Sequence, residues 1–196
     1  QTVTYLPAYG PSIPGYREFP QGVIGPFPTP VAEVYIFTTS NNPIVPSQPL
    51  VPLYRLSFQG TEGGNTNNLD HVYTTDQAGI NYYSFAYKLD GIEGYIFDDA
   101  YAQPPGTEKL YRYYNASGDD HAIFPESKLS AMISAGYSPP GGGANPWIGF
   151  VYPNVDRDND DLLDGFELAI STCINDSDTD NDGIRDGKEV LQYPRT

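Results

Sequence analysis

Two acidic stretches near the C-terminus have the residue types and the spacing of a metal site. Both follow the pattern D-x-D-x-D-x-x-x-D-G-x-E, over residues 156–167 and again over residues 178–189. Ca²⁺ takes six to eight oxygen ligands, which a twelve-residue loop supplies from side chains at positions 1, 3, 5, 9 and 12 and from the backbone carbonyl at position 7. Two copies in the same register argue against a merely solvated acidic tail. The predicted metal ligands are Asp156, Asp158, Asp160, Leu162, Asp164 and Glu167 in the first loop, and Asp178, Asp180, Asp182, Ile184, Asp186 and Glu189 in the second.

The two predicted loops differ at position 6, where such loops need a sharp turn. The second loop has Gly183 there, whereas the first has Asp161, so we expect strain or altered ligation in the first loop. Position 7 contributes only its backbone carbonyl, so the side chains of Leu162 and Ile184 can pack inward. We therefore predict about two bound Ca²⁺ ions.

The expected role of this calcium is structural. The two loops hold eleven carboxylates, which repel one another without a cation. Calcium switches expose a Met-rich groove between helices, but the chain has a single Met and no long amphipathic segment beside the loops. We predict a small module that folds only with metal, with an affinity in the weak extracellular range of about 10⁻⁴–10⁻³ M.

The second loop and the residues before it form a longer phrase, N-x-x-D-T-D-x-D-G-I-x-D-G-x-E, over residues 175–189. This phrase resembles the Asp-rich calcium repeats of thrombospondin type 3 and of related bacterial extracellular proteins. Dockerins are a weaker match, because their loops usually close with Asp and carry longer helices. The resemblance implies structural calcium in an extracellular protein.

Catalytic chemistry has little support elsewhere in the chain. His71 and His121 each follow an Asp in copies of one repeated motif, so we interpret them as structural pairs across strands rather than as general bases. Cys173 has no His nearby in sequence; its thiol is free, buried or paired between chains, and we expect first that it is buried as a small apolar side chain. The chain has no G-x-S-x-G turn, phosphate loop or zinc motif. We predict that the protein is not an enzyme; a hydrolase fragment or an inhibitor is the weakest alternative.

An internal repeat organises the elements that precede the loops. An L-Y-R segment, an Asp-His motif and a closing apolar segment occur twice in the same order, and the closing segment has an earlier third copy. Runs of β-branched and aromatic residues bounded by Gly, Pro and Asn predict strands. Each unit therefore reads strand, loop, Asp-His strand, short helix or loop, apolar strand, with one or two helical turns over 130–135. The matching segments are 52–55 with 109–112, 70–75 with 120–124, and 34–37 with 94–97 and 149–152.

These motifs resemble an uncharacterised repeat family of secreted microbial proteins, in which Y-R-F-Y, D-H-F-Y-T-T and a closing G-x-A-[FY] strand recur. The resemblance covers residues 31–153. The sequence departs from the family pattern in long insertions at 59–68 and 138–146, and its second Asp-His motif lacks the Thr pair. The resemblance implies an extracellular location and a fold rather than an activity.

The composition predicts an all-β fold. Gly (20) and Pro (19) together make up about a fifth of the 196 residues, and Tyr contributes 17. Gly and Pro are the poorest helix formers, whereas Tyr favours strands. We predict three regions: an extended Pro/Gly-rich arm over residues 1–30, a compact β-repeat domain over 31–153, and a loop-rich tandem calcium module over 154–196.

The arm combines rigidity with apolar character. It has seven prolines, its only charged residues are Arg17 and Glu18, and it holds many aromatic and aliphatic side chains. Pro fixes φ and lacks an N–H donor, so the arm should be extended and irregular. Its apolar side chains need a surface, which is either the arm's own domain or a neighbouring subunit.

The net charge indicates which partners are unfavourable, and the first residue indicates where the protein is located. The net charge of −15 disfavours nucleic acids and anionic membrane surfaces as partners. No apolar run approaches 18 residues, so membrane insertion is not expected. A start at Gln1 is expected of a mature chain from which a secretion signal has been removed. We therefore predict a secreted, extracellular or cell-surface protein.

Two functions follow from these features. The first is an extracellular calcium-stabilised structural protein, a homo-oligomeric subunit of a filament or tube that associates through the arm. The alternative is a lectin-like carbohydrate-binding or adhesion module, in which Tyr rings and above all Trp147, after a Gly-rich loop, stack on a glycan. Asn115 and Asn175 begin N-glycosylation sequons, which matter only where the host modifies them.

Overall fold

The computed structural model describes residues 16–19, 34–41, 47–58, 70–141 and 145–192, with the backbone alone for 16–19 and 191–192. Strands dominate these ranges and all pair antiparallel, so the predicted all-β class is confirmed. None of the helices in the described ranges is long and apolar enough to cross a membrane.

The strands are β1 (Tyr16–Phe19), β2 (Val34–Phe37), β3 (Leu50–Phe58), β4 (His71–Thr74), β5 (Tyr87–Phe97), β6 (Glu108–Asn115), β7 (Asp120–Pro125) and β8 (Trp147–Pro153). The helices are α1 (Gln77–Tyr83), α2 (Leu129–Ser134), α3 (Asp164–Ile170) and α4 (Asp186–Gln192), with a 3₁₀ turn over Glu126–Lys128 before α2.

The strands form one curled sheet that contains two units of the same plan. The strand order is β4-β3-β5-β2-β8-β6-β7, and β1 adds to β2. In the first unit, the β3–β4 hairpin leads through α1 to the return strand β5, which pairs with β3. In the second unit, the β6–β7 hairpin leads through α2 to the return strand β8, which pairs with β6. The order of elements that the sequence predicts is therefore the order observed in both units.

The closing segments 34–37, 94–97 and 149–152 pair with one another in a three-sided arrangement. Two strands that are each antiparallel to a third would be parallel to each other in a flat sheet. Here all three pairs are antiparallel, so the segments turn about a common centre, and the fourth residue of each faces the second residue of the next. The facing pairs are Phe37 with Tyr95, Phe97 with Phe150, and Tyr152 with Tyr35.

Glycine permits the close approach of backbones at this centre. A Cβ atom on Gly94 would lie 2.9 Å from the carbonyl oxygen of Phe37, and a Cβ atom on Gly149 would lie 2.5 Å from the carbonyl oxygen of Phe97. Both distances are far shorter than a van der Waals contact, so no larger residue fits without displacing the neighbouring strand. Two of the three closing segments begin with Gly for this reason.

The closing segments are buried on both faces, which explains their unbroken apolar runs. Successive side chains of a strand point to opposite faces, so Val34 and Ile36 join one hydrophobic cluster while Tyr35 and Phe37 join another. The first cluster includes side chains of the two hairpins. The second is completed by three residues of the C-terminal segment, Leu162, Leu163 and Phe166.

The Asp of each Asp-His motif holds its own unit together. Tyr87 donates a hydrogen bond to Asp70 at 2.5 Å, and Tyr137 donates one to Asp120 at the same 17-residue separation. Asp70 also accepts bonds from the backbone N and the ring Nδ1 of His121, at 3.0 and 2.8 Å. These contacts fit a structural role for the motif, although the observed pair joins the Asp of the first motif to the His of the second.

The structure corrects the prediction for Cys173, whose side chain is exposed rather than buried. The residue lies two positions after Ser171, which ends α3 in a left-handed conformation. Its backbone N–H donates to Thr179 Oγ1 at 2.8 Å. The residue type indicated a small apolar side chain, but exposure depends on where the folded chain places it.

Part of the predicted arm forms a strand. Residues 16–19 form β1 and pair with β2 of the same chain, so this part is regular rather than irregular. The predictions for the rest of the arm and for the insertion at 59–68 fall on residues outside the described ranges.

Candidate calcium-binding loops

Each predicted loop brings three carboxylates together. In both loops, side-chain oxygens at positions 1, 3 and 5 lie within 4.8 Å of one another. Position 9 is the first residue of a helix, α3 after the first loop and α4 after the second. A hard cation that prefers oxygen ligands suits such a group. The clustered residues are Asp156, Asp158 and Asp160 in the first loop, and Asp178, Asp180 and Asp182 in the second.

The two loops share one backbone conformation. Position 4 has φ of 58° at Asn159 and 60° at Asn181, and position 6 has φ of 76° at Asp161 and 91° at Gly183. Left-handed backbone is costly for a residue with a Cβ atom, although Asn and Asp tolerate it better than most. Asp161 therefore makes the same turn as Gly183 at a higher conformational cost, and the first loop keeps its shape.

Hydrogen bonds within each loop explain the shared shape. The carboxylate at position 1 accepts a bond from the backbone N of position 6, at 3.2 Å in the first loop and 2.9 Å in the second. The carboxylate at position 5 accepts from the backbone N of position 7, at 2.7 and 2.8 Å. The carboxylate at position 9 accepts from the backbone N of position 2, at 2.9 and 3.0 Å. The acidic residues thus orient the backbone as well as offering oxygens.

Glu167, at position 12 of the first loop, is a fully buried carboxylate. Neither of its oxygens has a hydrogen-bond partner among the described residues. Burial, with added repulsion from Asp158 and Asp160, raises the pKa of Glu167 to about 8. Both oxygens of Asp158 are likewise buried and unpartnered within the part of the chain that the structure describes. Because a buried carboxylate without a donor is unfavourable, this pocket fits a cation that takes carboxylate oxygens.

The carboxylate at position 9 of the first loop already has partners. Asp164 forms an ion pair with Arg157, with 3.1 Å between Oδ2 and Nε, besides its bond from the Arg157 backbone. In loops of this kind position 9 often acts through a water molecule rather than directly. Asp164 therefore fits an indirect ligand better than a direct one.

The second loop is the more exposed of the two. Its carboxylates at positions 3 and 5, Asp180 and Asp182, are exposed, and Glu189 at position 12 is half-buried. At position 7, Ile184 is half-buried whereas Leu162 is fully buried. The two loops thus offer a cation the same ligand types in different surroundings.

Two contacts join the loops to each other. The backbone N of Gly187 donates to Asp160 Oδ2 at 2.9 Å, and Arg185 Nη1 donates to the carbonyl of Asn159 at 3.0 Å. A Cβ atom on Gly187 would lie 2.3 Å from the carbonyl oxygen of Asp160, so glycine is required at this crossing. Sequence reasoning missed this connection, because the pattern describes each loop alone.

The first loop is built into the core of the sheet. Phe166, at position 11, packs against Tyr152 with 4.3 Å between ring centroids. Leu162 belongs to the same cluster, and Ile170 and Val190 of the two helices pack against it. The C-terminal segment therefore covers one face of the closing segments.

The other predicted site residues have structural surroundings. Trp147 is partly buried, with Lys109 Nζ 4.7 Å from its ring centroid and Tyr111 against it. The side-chain amide of Asn115 donates to the carbonyl of Ala135 at 3.1 Å, whereas Asn175 is exposed. His121 belongs to the contact between the two units described above, whereas His71 lies opposite Ser57 in the pairing of β3 with β4.

Comparison with known proteins gives one assignment. The family model of DUF5648, a domain of unknown function, matches residues 32–143. The match covers more than half of the chain, includes both hairpins, and ends before β8 and the acidic loops. Searches of curated proteins and of solved structures gave no match. The chain therefore belongs to the DUF5648 family of domains of unknown function.

Proposed function

We propose that the protein is an extracellular structural protein that two Ca²⁺ ions stabilise and that associates with copies of itself. The observation that best supports calcium binding is Glu167, a fully buried carboxylate that no donor of the described residues reaches, at the position where the pattern predicts a bidentate ligand. The bound ion would supply the positive charge that this burial requires. In this proposal the first ion is held by Asp156, Asp158, Asp160, the Leu162 carbonyl and Glu167, and the second by the corresponding residues of the second loop.

The consequence of the first ion reaches beyond its loop. Leu162, whose carbonyl is a proposed ligand, and Phe166, which directly precedes the ligand Glu167, both lie in the core cluster. Without the ion, Glu167 must take up a proton or move to solvent, and moving it would withdraw Phe166 from the core. Calcium is therefore proposed to stabilise the whole β domain rather than the C-terminal segment alone.

Replacing the position-12 ligands one at a time tests this proposal. In chelator at neutral pH, Glu167→Gln should melt at a higher temperature than the wild type, because burying an amide requires no proton uptake, whereas burying Glu167 does. In millimolar calcium Glu167→Gln should melt at a lower temperature than the wild type, because the variant has lost its bidentate ligand. Glu189→Gln should lower the melting temperature only in calcium, and by less, because Glu189 is half-buried. Thermal melts followed by near-UV circular dichroism measure both effects.

Asp176→Asn is the matched control. It removes one exposed carboxylate from the segment between the loops without touching a predicted ligand, so both melting temperatures should stay at their wild-type values. Calcium titration by calorimetry should show about two ions for the wild type and one for Glu167→Gln. A wild-type melting temperature that is identical in calcium and in chelator would contradict the proposal.

In the structure β1 pairs with β2 of its own chain, so self-association through this strand requires its exchange between subunits. In the β1–β2 pair, Arg17 faces Ile36, the third residue of the first closing segment. In the β3–β5 pair, Val51 faces Ile96, the third residue of the second closing segment. β1 therefore pairs with the first closing segment in the same register in which β3 pairs with the second. The same strand from a second copy could fill that place with the same hydrogen bonds, which is a low-cost route to association. We infer exchange of β1 between subunits.

A pair of proline variants tests the exchange. Pro52 of β3 and Glu18 of β1 occupy equivalent positions. Pro52 faces Tyr95 and Glu18 faces Tyr35, and each of these tyrosines is the second residue of its closing segment. Because Pro cannot donate a ladder hydrogen bond, the backbone nitrogen at this position points away from the closing strand. Glu18→Pro should therefore preserve the pairing, whereas Arg17→Pro should remove a hydrogen bond to β2.

Light scattering in millimolar calcium provides the measurement. The wild type and Glu18→Pro should form species larger than the 21.5 kDa chain, and Arg17→Pro should be monomeric. Deleting residues 1–25 should likewise give a folded monomer. A monomeric wild type at every concentration would contradict self-association and leave the calcium proposal standing.

A further inference from the structure

An open cleft of about 1060 Å³ lies between the two units. Helix α1 and the turn after it form one side, and β6, the β6–β7 turn and the start of β8 form the other. This volume is at the upper end of the usual range for ligand sites, roughly 300–1,000 Å³. None of the predicted calcium ligands lines the cleft, so it is separate from the acidic loops.

Two aromatic rings stand exposed on the α1 side of the cleft. Tyr82 is 70% exposed and Phe85 is 83% exposed, although burying such rings would favour folding. The backbone that carries them is anchored, because Tyr83 is buried in a cluster of the first hairpin and Asp76 caps α1 by accepting a bond from Gly79 N at 2.6 Å. The rings are thus held at the surface, as in binding sites.

Hydrogen-bonding groups line the rest of the cleft. Arg112 Nη1 donates to the carbonyl of Tyr73 at 3.2 Å, and the guanidinium lies 5.8 Å from the Tyr83 ring centroid. The Nε–H of Arg112 is buried and has no hydrogen-bond partner within the described ranges. Asn145 Nδ2 donates to Asp99 at 3.0 Å. The cleft therefore offers donors and acceptors beside aromatic faces.

The charge of the lining narrows the class of ligand. Asp76, Asp99 and Asp119 contribute carboxylates, and Arg112 is the one Arg or Lys among the lining residues. The chain as a whole carries −15, so an anionic ligand would be repelled. A sugar ring presents C–H groups to the negative face of an aromatic ring, and its hydroxyls both donate to carboxylates and accept from a guanidinium or an amide. This combination matches a neutral saccharide.

We propose that the cleft binds neutral oligosaccharides, with Tyr82 and Phe85 stacking on sugar rings and Asp119 and Arg112 hydrogen-bonding their hydroxyls. Asp119 lies in the β6–β7 turn among the residues that line the cleft, and its Oδ1 accepts a hydrogen bond from the hydroxyl of Tyr114, another lining residue. Trp147 lines the cleft as part of its wall. The proposal adds a ligand to the structural function above and depends on neither calcium nor strand exchange.

Titration calorimetry with defined oligosaccharides tests the proposal on the full chain in millimolar calcium. The neutral probes are cello-, chito- and manno-oligosaccharides, and an oligogalacturonate is the anionic comparison. At least one neutral probe should bind. Tyr82→Ala and Phe85→Ala should each weaken its affinity by about tenfold, which corresponds to about 1.4 kcal/mol. Their melting temperatures should stay at the wild-type value, because both side chains are exposed.

Tyr101→Ala is the matched control, since Tyr101 is 53% exposed and does not line the cleft. Its affinity for the same probe should equal that of the wild type. The proposal is overturned if no neutral probe binds at millimolar concentration, or if the Tyr82→Ala/Phe85→Ala double variant binds like the wild type. Tighter binding of the oligogalacturonate would refute the neutral class. Loss of self-association in that double variant, without loss of sugar binding, would identify the cleft as a subunit contact instead.

Discussion

The two acidic loops are close copies in shape and differ in what surrounds them. Their left-handed residues fall at the same positions, and the same backbone nitrogens donate to the same carboxylates. At position 11, however, the first loop has Phe166, which is fully buried against Tyr152, and the second has Lys188, which is exposed. The residues with predicted ligand roles set the shape of a loop, whereas the residues between them decide whether the loop belongs to the core.

Because of this difference, the two loops are expected to contribute differently to the stability of the domain. The first loop closes the core over the closing segments, so its occupancy bears on the whole domain. The second loop packs on the first through Gly187 and Arg185. We therefore expect perturbations of the first loop to cost more than matched perturbations of the second.

The largest expected difference lies at position 11. Phe166→Ala should lower the free energy of unfolding by about 3–5 kcal/mol, because it leaves a cavity in the core. Lys188→Ala should change it by less than about 0.5 kcal/mol, because the side chain is exposed. Urea unfolding in saturating calcium measures both. Equal losses in the two variants would show that the loops are embedded alike.

Substitutions at position 6 should change the free energy of unfolding by less, and in opposite directions in the two loops. Asp161→Gly should raise the free energy of unfolding by up to about 1 kcal/mol, because it relieves a left-handed residue that carries a Cβ atom. Gly183→Ala should lower it by a similar amount for the same reason. The stoichiometry of calcium binding should stay the same in both variants, since position 6 is not a predicted ligand. A destabilised Asp161→Gly variant would indicate that the Asp161 carboxylate itself supports the loop.

Removing a contact between the two loops should change the free energy of unfolding least. Arg185→Ala removes one partly solvated hydrogen bond to the carbonyl of Asn159, which is worth about 0.5–1 kcal/mol. We expect that loss in urea unfolding, together with weaker coupling between the two calcium-binding steps in a titration. Lys188→Ala serves as the control, because it removes a nearby positive charge without a contact to the first loop in the described structure. Unchanged coupling would mean that the loops bind calcium independently.

Several features could be predicted because they depend on residues close together in the chain. Apolar runs between turn residues indicated the strands, and the helix at 129–134 lies where one or two helical turns were expected. The repeated Asp-His motif indicated a structural pair. Its actual pairing, Asp70 with His121, joins residues 51 positions apart, and local sequence carries no signal for such a choice.

Other features depend on how distant segments meet. Tyr82 and Phe85 form one side of a cleft only because the second unit folds opposite them. Cys173 was expected to be buried because it is small and apolar, and that prediction was wrong because a turn outside the core positions it. The pairing of β1 with β2 likewise depends on which edge of the sheet is open.

The sequence by itself determined the two acidic loops and the β character of the chain, because twelve-residue ligand spacing and strand periodicity are local properties. Only the tertiary structure decided that the first loop lies in the core and the second at the surface. The physical reason is that burial depends on which surface covers a side chain. For Phe166 that surface is a cluster that includes Phe37, Phe97 and Tyr152 of the three closing segments, which meet only when the sheet curls.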